Sequence, residues 1–323
     1  MGPGLCLFSA ACFGAMAIFG KLAYAAGVSP DALLLLRFGL AAALLGLLLL
    51  LRPSLRSVPA RAAVPTRPAA PGRAAAQGRP VVPGRGRVLA IALGLGALGY
   101  ATQATFYFSA LQRIDASLVA LVLYTFPAMV TVVAALLGRE RLTPARVAAL
   151  VVASCGTLLV LLGAGGVSID PVGVGLAFGA AVTYTAYILV ADTVVHRLSP
   201  VTLAALVMTG ATVSLAVRSA VTGGADLGFG PAGWWWIACI AVVSTVLAML
   251  AFLAGLRRTG PSTASILSTF EPVVTTALAA VTLHEFLTPV QLAGAAVVLS
   301  SVAILQLRPR RRPAPAVRPL PAQ

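Results

Sequence analysis

Charged side chains are scarce in this sequence. Asp, Glu, Lys and Arg together make up 10% of the 323 residues, only eight residues are acidic, and 59% are hydrophobic. The mean hydropathy of +0.99 agrees with this shortage of charge. A water-soluble protein of this length needs far more polar surface. The composition therefore excludes a soluble globular protein and predicts a chain whose solvent is lipid.

Residues that build metal and cofactor sites are scarce as well. The chain has two histidines and four cysteines, without a CxxC pair or a Cys/His cluster, which argues against a zinc site and a disulfide framework. The glycines at 94, 96 and 99 satisfy the pattern G-x-G-x-x-G, but they lie inside one apolar run and not between a strand and a helix. They therefore indicate close helix packing. We expect neither a cofactor nor a metal.

Basic residues outnumber acidic ones, and they are localised. The formal net charge is +15, and most of the basic residues fall in two Pro-rich segments, Arg52–Arg87 and Arg308–Arg318. No aromatic residues alternate with them, although binding to single-stranded nucleic acid uses aromatic rings for stacking. We therefore expect no nucleic-acid partner. We predict that 52–87 and the tail 309–323 are disordered cytoplasmic segments that set the topology or contact anionic lipid headgroups.

Ten apolar runs are candidates for membrane-spanning helices, and the fifth is the shortest of them. A bilayer core about 30 Å thick requires about 20 apolar helical residues, because all backbone polar groups must be bonded within the segment. The predicted spans are Gly4–Ala26, Ala32–Leu51, Val88–Phe108, Ser117–Leu137, Val147–Leu162, Val172–Ala191, Val201–Val221, Gly233–Leu256, Thr263–Leu283 and Val290–Leu307. The predicted fold class is thus an all-α integral membrane protein of about ten transmembrane helices.

The distribution of Lys and Arg indicates the orientation of these spans. With the N-terminus inside, 19 of the 23 basic residues fall in cytoplasmic segments, in agreement with the positive-inside rule. Both termini are thus predicted to be cytoplasmic, in a plasma membrane. Ala23-Tyr24-Ala25 also has the form of a signal-peptidase site, but no basic residue precedes this apolar run. The strong excess of Arg over Lys is typical of a GC-rich bacterial genome, which favours a bacterial inner membrane.

An internal repeat divides the chain into two halves. Nine residues recur without gaps at a spacing of 145. They are Arg113, Ser117, Pro127, Thr131, Glu140, Leu142, Thr143, Pro144 and Ala148, which match Arg258, Ser262, Pro272, Thr276, Glu285, Leu287, Thr288, Pro289 and Ala293. Ser29-Pro30 also recurs as Ser199-Pro200. We predict a first repeat over 1–165, with the insertion at 52–87, and a second repeat over 166–308.

Five predicted helices per repeat is an odd number, so the second repeat enters the membrane from the opposite side and the two repeats are inverted. Exchanging the conformations of the halves turns an inward-open cavity into an outward-open one, which predicts a transporter of a small-molecule substrate. Two other classes stay open: an intramembrane enzyme, disfavoured because no nucleophile and base pair is evident, and a scaffold or sensor without flux. Small residues occur on nearly every helix, so a monomer and a homodimer both fit the sequence.

Short motifs in both halves carry a family resemblance. They are Ser109-Ala110-Leu111, Tyr124 to Pro127, Gly138 to Thr143, Glu271-Pro272, His284 to Thr288 and Gln291 to Gly294, together with Arg37-Phe38. These motifs resemble the EamA-type repeat of the drug/metabolite transporter superfamily. The resemblance implies ten helices around a central cavity, lined mainly by helices 1, 3, 4, 6, 8 and 9. It also implies export or exchange of amino acids, metabolites or drugs. Phe126 stands where the second half has Glu271, so we expect the second half to carry more of the site.

Glu271 is the most informative candidate for substrate binding or coupling. It lies near the middle of the ninth predicted span, where an ionised carboxylate is costly, so it must face a cavity or a partner helix. In such surroundings a carboxyl group can hold a proton at neutral pH and exchange it as substrate moves. Pro272 should bend the helix and free a carbonyl group one turn back. Proton antiport is therefore one hypothesis for the mode of transport, beside uniport and exchange. Alternatively, Glu271 only forms a structural hydrogen bond to a neighbouring helix.

Other polar and proline residues within the spans are further candidates. They are Pro127, Tyr124, Thr125, Gln103, Tyr107, Thr183, Tyr187 and Ser268. Pro127 should bend the fourth span as Pro272 bends the ninth. Gln103 and Tyr107 are four residues apart and so share a helix face, and the same holds for Thr183 and Tyr187. Each of these side chains could equally bond across a helix interface, as polar groups in membrane helices often do.

Lys21 and Arg37 are candidate gating or rim residues. They lie near the outer ends of the first two spans, where long cationic side chains can extend to the interface between membrane and water. We favour this interfacial placement for both. The alternative is an extracellular gate or a rim that attracts anions, with Asp31 as a partner.

Overall fold

The structure is a computed structural model that describes residues 1–56, 84–111, 113–114, 116–140, 142–162, 170–282 and 288–306. Within these ranges all regular secondary structure is helical, as expected of an all-α membrane protein. Seven helices in these ranges are long and apolar enough to cross a membrane, and shorter apolar helices accompany them.

The helices are numbered in chain order. Their bounds are α1 Gly2–Ala25, α2 Pro30–Leu51, α3 Arg85–Gly94 continuing through Leu95–Tyr100 and Ala101–Leu111, α4a Ala116–Leu123, α4b Phe126–Leu136, α5 Pro144–Leu162, α6 Pro171–Val194, α7 Pro200–Val221, α8 Pro231–Thr259, α9a Pro261–Ser268, α9b Glu271–Thr282 and α10 Pro289–Gln306. The ends of the predicted apolar runs differ from these bounds by three residues or fewer.

Most of these helices begin with a proline that follows a capping residue. The hydroxyls of Ser29 and Ser199 accept hydrogen bonds from Ala32 N and Thr202 N, at 3.3 and 3.1 Å. The Asp170 carboxylate likewise accepts from Val172 N at 3.1 Å. A proline suits the first turn because its missing N–H would have no partner there. The repeated Ser-Pro pairs are therefore helix starts at equivalent places in the two halves.

Two helices that the sequence predicts to be continuous are broken. A turn at Tyr124–Thr125 separates α4a from α4b, and a turn at Thr269–Phe270 separates α9a from α9b. We predicted that proline bends these spans, but the structure interrupts each of them with a turn. Pro127 and Pro272 are each the second residue of a new helix, because proline cannot bond to the preceding turn but fits a helix start.

The helices α3 and α8 each contain one π-helical turn. These turns are Leu95–Tyr100 and Val242–Leu247. In the second turn the Thr245 hydroxyl donates to Ile240 O at 3.0 Å, five residues back. Single π turns inside α-helices are frequent at functional sites.

The packing of the helices is reciprocal between the halves. α1 packs on α8 and α9a/α9b, whereas α6, five helices later, packs on α3 and α4a/α4b. α2 packs on α7, and α5 packs on α10. The two halves therefore interleave along their whole length.

Glycines allow the closest helix contacts. A Cβ atom at Gly96 would collide with the backbone of Val207, and one at Gly210 with the backbone of Leu93, so α3 and α7 touch here. A Cβ at Gly156 would lie 2.9 Å from Gly294 O, in the contact between α5 and α10. At Gly96 the glycine motif of α3 thus serves helix packing, as its setting in an apolar run indicated.

The two segments expected to be disordered fall largely outside the described residues. This applies to 57–83, to the tail 309–323 and to the predicted junction of the repeats near 165. At the edges of the insertion, Pro53–Arg56 forms a 3₁₀ turn and α3 begins at Arg85, inside the predicted loop. Helical structure thus extends into both ends of the segment that we expected to be free of helix.

Candidate functional site

A cavity of about 310 Å³ lies beside the break in α9. Its lining comes from both halves of the chain, with residues of α1, α2, α3, α4a and α4b, α5, α6, α9b and α10. The cavity occupies one side of the bundle, because α1 lines it from Phe13 to Lys21 but not nearer its N-terminus.

The other side of the bundle is tightly packed. There Ser9 of α1 is buried, and its hydroxyl donates to Ala248 O of α8 at 2.8 Å. Phe252 and Leu256 of α8 are also fully buried. The cavity is therefore closed at the depth of Glu271 towards the N-terminal end of α1.

Glu271 is the first residue of α9b and lines the cavity. Its carboxyl group interacts with the Tyr124 side chain at the equivalent break in α4. α1 passes directly behind it: the Thr275 hydroxyl lies 3.0 Å from Gly14 O and 3.1 Å from Glu271 O. The break in α9, the break in α4 and the glycine of α1 thus position this carboxyl group together.

Aromatic rings form one wall of the cavity. Tyr100 and Tyr184 line it directly, and Tyr187 packs behind both rings, with centroid distances of 5.5 and 6.0 Å. Phe126 meets the Tyr184 ring edge-on at 4.8 Å. Such contacts hold each ring in a fixed orientation and give an apolar surface with hydroxyl groups.

Arg37 lies within the protein and not at its surface. Its side chain lines the cavity, and the residue is only 2% exposed. The expected interfacial placement is therefore wrong for Arg37. Lys21, which is exposed, also lines the cavity. Asp31, the suggested partner of these two cations, instead forms a 3.2 Å ion pair with Arg218.

The structure brings seven of the twelve candidate residues to the cavity. They are Glu271, Pro272, Tyr124, Gln103, Tyr107, Lys21 and Arg37. Their roles stay predictions.

Five candidates lie off the cavity lining. They are Pro127, Thr125, Thr183, Tyr187 and Ser268. Pro127 is buried in α4b, and Tyr187 donates to Met249 Sδ at 3.3 Å. The hydroxyl groups at 183 and 268 bond to backbone carbonyls of their own helices at 2.8 and 3.0 Å, and the hydroxyl at 125 bonds to Val122 O at the end of α4a at 2.7 Å. These local bonds satisfy the three hydroxyl groups without a ligand.

Several lining residues were not among the candidates. They include Phe13, Tyr100, Tyr184, Thr275, Thr276 and Gln291. Thr275 could have been found, since it follows Glu271 by one helical turn. Gln291 belongs to a family motif, and it forms a capping box with Thr288, whose N–H lies 2.9 Å from Gln291 Oε1.

The whole arrangement can hold an organic molecule between an aromatic wall and groups of both charge signs. In the described part of the chain, no cluster of three or more His, Cys, Asp or Glu side chains could hold a metal ion. Glu271 supplies a carboxyl group that can bind a cation or carry a proton.

Comparison with known proteins assigns the family. The sequence matches the EamA-like transporter family over residues 1–162 and again over 171–307. The chain belongs to this family. It is therefore a multi-pass membrane protein and a transporter of small molecules. The resemblance seen in the sequence motifs is confirmed, and the match in two segments corresponds to its two repeats.

The EamA-like fold is also found among solved structures. One of them, described as "Crystal structure of protein", is similar to this chain with a TM-score of 0.73 and 20% identity, over 95% of this chain and 96% of its own. At this identity the likeness concerns the fold alone. No curated protein matches the chain.

Proposed function

We propose that this EamA-like protein is a secondary transporter that works by alternating access and exports or exchanges small metabolites, amino acids or drugs. We further propose that Glu271 exchanges a proton as substrate moves. Its ten spans would form two inverted repeats in a bacterial plasma membrane, with both termini cytoplasmic.

The observation that carries this proposal is the one-sided cavity that ends at Glu271. It reaches from this carboxyl group along the second half of α1, while the first half of α1 is sealed against α8. With the N-terminus inside, the open half is extracellular. A binding site that is open to one side and closed to the other is what alternating access requires.

The reciprocal packing supports the second state. Because α1 contacts α8 and α9 as α6 contacts α3 and α4, each half can adopt the arrangement of the other. That exchange would open the packed side and close the present cavity.

The position of Glu271 supports a role in coupling. Ionisable groups inside spans are rare and usually serve proton or ion pathways. Here the group stands at the start of a half-helix, beside Tyr124 and in contact with the cavity. Substrate and proton would therefore meet at the same place.

Flux into proteoliposomes tests the proposal. A pooled panel of amino acids and metabolites is offered with and without a pH gradient to the wild type, to Glu271→Gln and to Asp226→Asn. Asp226 is a matched control, because its carboxylate lies in the exposed loop between α7 and α8, where it accepts from Gly228 N at 2.8 Å.

We expect accumulation that depends on the gradient in the wild type and in Asp226→Asn, and loss of that dependence in Glu271→Gln. Flux that is independent of the pH gradient and is retained in Glu271→Gln would indicate a purely structural role for this residue. No flux of any compound would refute transport of these compounds and favour a scaffold or an enzyme.

A further inference from the structure

Arg37 is a buried cation with weak partners. One terminal nitrogen donates to Met16 Sδ at 2.9 Å and the other to Tyr100 Oη at 3.3 Å. The guanidinium carbon lies 4.5 Å from the centroid of the Phe38 ring. A thioether, a phenol oxygen and a ring face stabilise a positive charge far less than a carboxylate does.

The hydrogen-bonding capacity of Arg37 is only partly used by the residues that the structure describes. A guanidinium has five N–H donors. Its Nε is buried without a partner, and Arg37 forms no ion pair with the residues that the structure describes. Burying an unneutralised charge is costly, so this arrangement is expected only where a counter-charge arrives from elsewhere.

The neighbouring carboxyl group does not supply that counter-charge. Arg37 and Glu271 line the same cavity and are both close enough to act on the Tyr100 and Tyr107 hydroxyls. No salt bridge joins them in the described structure. Space that a ligand can enter lies within reach of both groups.

We infer that Arg37 binds the carboxylate of the transported molecule. This inference rests on the proposed transport function. A guanidinium binds a carboxylate through two parallel N–H···O bonds, and the charge of the ligand replaces the missing partner. Lys21 places a second cation on the same lining.

The rest of the cavity defines the ligand class. Its volume of about 310 Å³ and its rings at Phe13, Tyr100 and Tyr184 suit one compact apolar body. The class is therefore small organic acids with a hydrocarbon or aromatic body. Glu271 lines the same cavity and its carboxyl group can bind a cation, so α-amino acids form a subclass that the experiment separates.

Ligand binding to the purified full-length protein tests the inference by calorimetry. The probes are benzoate, 3-phenylpropionate and 4-methylpentanoate, each paired with its neutral amide of nearly the same shape. We expect the wild type to bind at least one acid about 10- to 100-fold more tightly than its amide, the factor that charge-assisted hydrogen bonds provide. If the wild type binds none of the acids more tightly than the corresponding amide, the inference is overturned, and no variant is needed to decide this.

Three variants locate the preference. Arg37→Gln should abolish it, Arg37→Lys should retain part of it, and Arg218→Gln should leave it unchanged. Arg218 is a matched control, because it lies off the cavity lining and is paired with Asp31. A preference that survives Arg37→Gln in a monodisperse, folded sample would overturn the inference. If Arg37→Gln does not fold, Arg37→Lys decides in its place: a preference for the acid that is weaker than in the wild type supports the inference, and an unchanged preference overturns it.

Two further measurements separate the dependent claims. Phenylalanine and 3-phenylpropionate differ by one amino group, so tighter binding of phenylalanine that disappears in Glu271→Gln supports the amino-acid subclass. Equal binding supports the simple acids. Flux of the same acids is measured in proteoliposomes. Binding with the expected preference but without flux would refute transport of these acids while leaving carboxylate binding by Arg37 intact.

Discussion

Replacing Gly14 by alanine should disturb the site from behind. A Cβ atom there would lie 2.9 Å from Glu271 O and 3.1 Å from Val274 Cβ. Most real Cβ contacts are longer than 3.4 Å, so α1 and α9b must separate by about 0.5 Å, in a closely packed interface. The separation would also stretch the bond from Thr275 to Gly14 O, now 3.0 Å. We therefore expect Gly14→Ala to lower flux through the cavity.

The stability change can be worked out against a control on the same helix. Gly20 has no atom within 4 Å of a Cβ position, so Gly20→Ala should show only the gain in helix propensity, about 1 kcal/mol. Gly14→Ala has the same gain but adds overpacking that costs about 1–3 kcal/mol. The free energies of unfolding of the two variants, from titration with SDS, should therefore differ by about 1–3 kcal/mol. A Gly14→Ala protein as stable and as active as Gly20→Ala would refute this reasoning.

Three further predictions concern other contacts. Gly156→Ala and Gly294→Ala each push α5 away from α10, and one displacement of the helices relieves both contacts. The loss of stability in the double variant should therefore be smaller than the sum of the two single losses, by about 0.5 kcal/mol or more. A double-mutant cycle with additive losses would contradict this. Tyr124→Phe keeps the ring but removes the hydroxyl beside Glu271. It should reduce flux driven by a pH gradient about tenfold without lowering the unfolding midpoint. Unchanged flux would contradict a functional contact between Tyr124 and Glu271. Arg218→Gln breaks a half-exposed ion pair and should cost less than about 1 kcal/mol in SDS titration, whereas a loss of several kcal/mol would show a buried role.

The positions of the helices could be predicted from the sequence because their causes are local. A long apolar run and a cap before a proline are both visible in single segments such as Ser29-Pro30 and Ser199-Pro200. The breaks were only half predicted. Pro127 and Pro272 signal a disturbance, but whether a helix bends or restarts depends on the helices around it.

The faces of the helices could not be predicted from the sequence. In a membrane, lipid and protein interior are both apolar, so periodicity does not mark the side that faces the cavity. The spacing of Thr183 and Tyr187 made them candidates for the cavity face of α6, yet Tyr184 lines the cavity instead. The predicted position of Arg37 was wrong for a related reason. It follows the start of α2 by seven residues, about 10 Å of helix, from which its side chain could extend outward or inward.

One measurement tests most directly whether the cavity is the transport path. Thr276 lines the cavity, and Asp226 lies in an exposed loop on the side proposed to be extracellular. Thr276→Cys and Asp226→Cys are prepared in a chain whose four native cysteines are replaced by alanine, and a bulky, membrane-impermeant thiol reagent is added outside. We predict that both variants are modified and that only the modified Thr276→Cys loses flux. Full modification of Thr276→Cys with undiminished flux would show that substrate does not pass through this cavity.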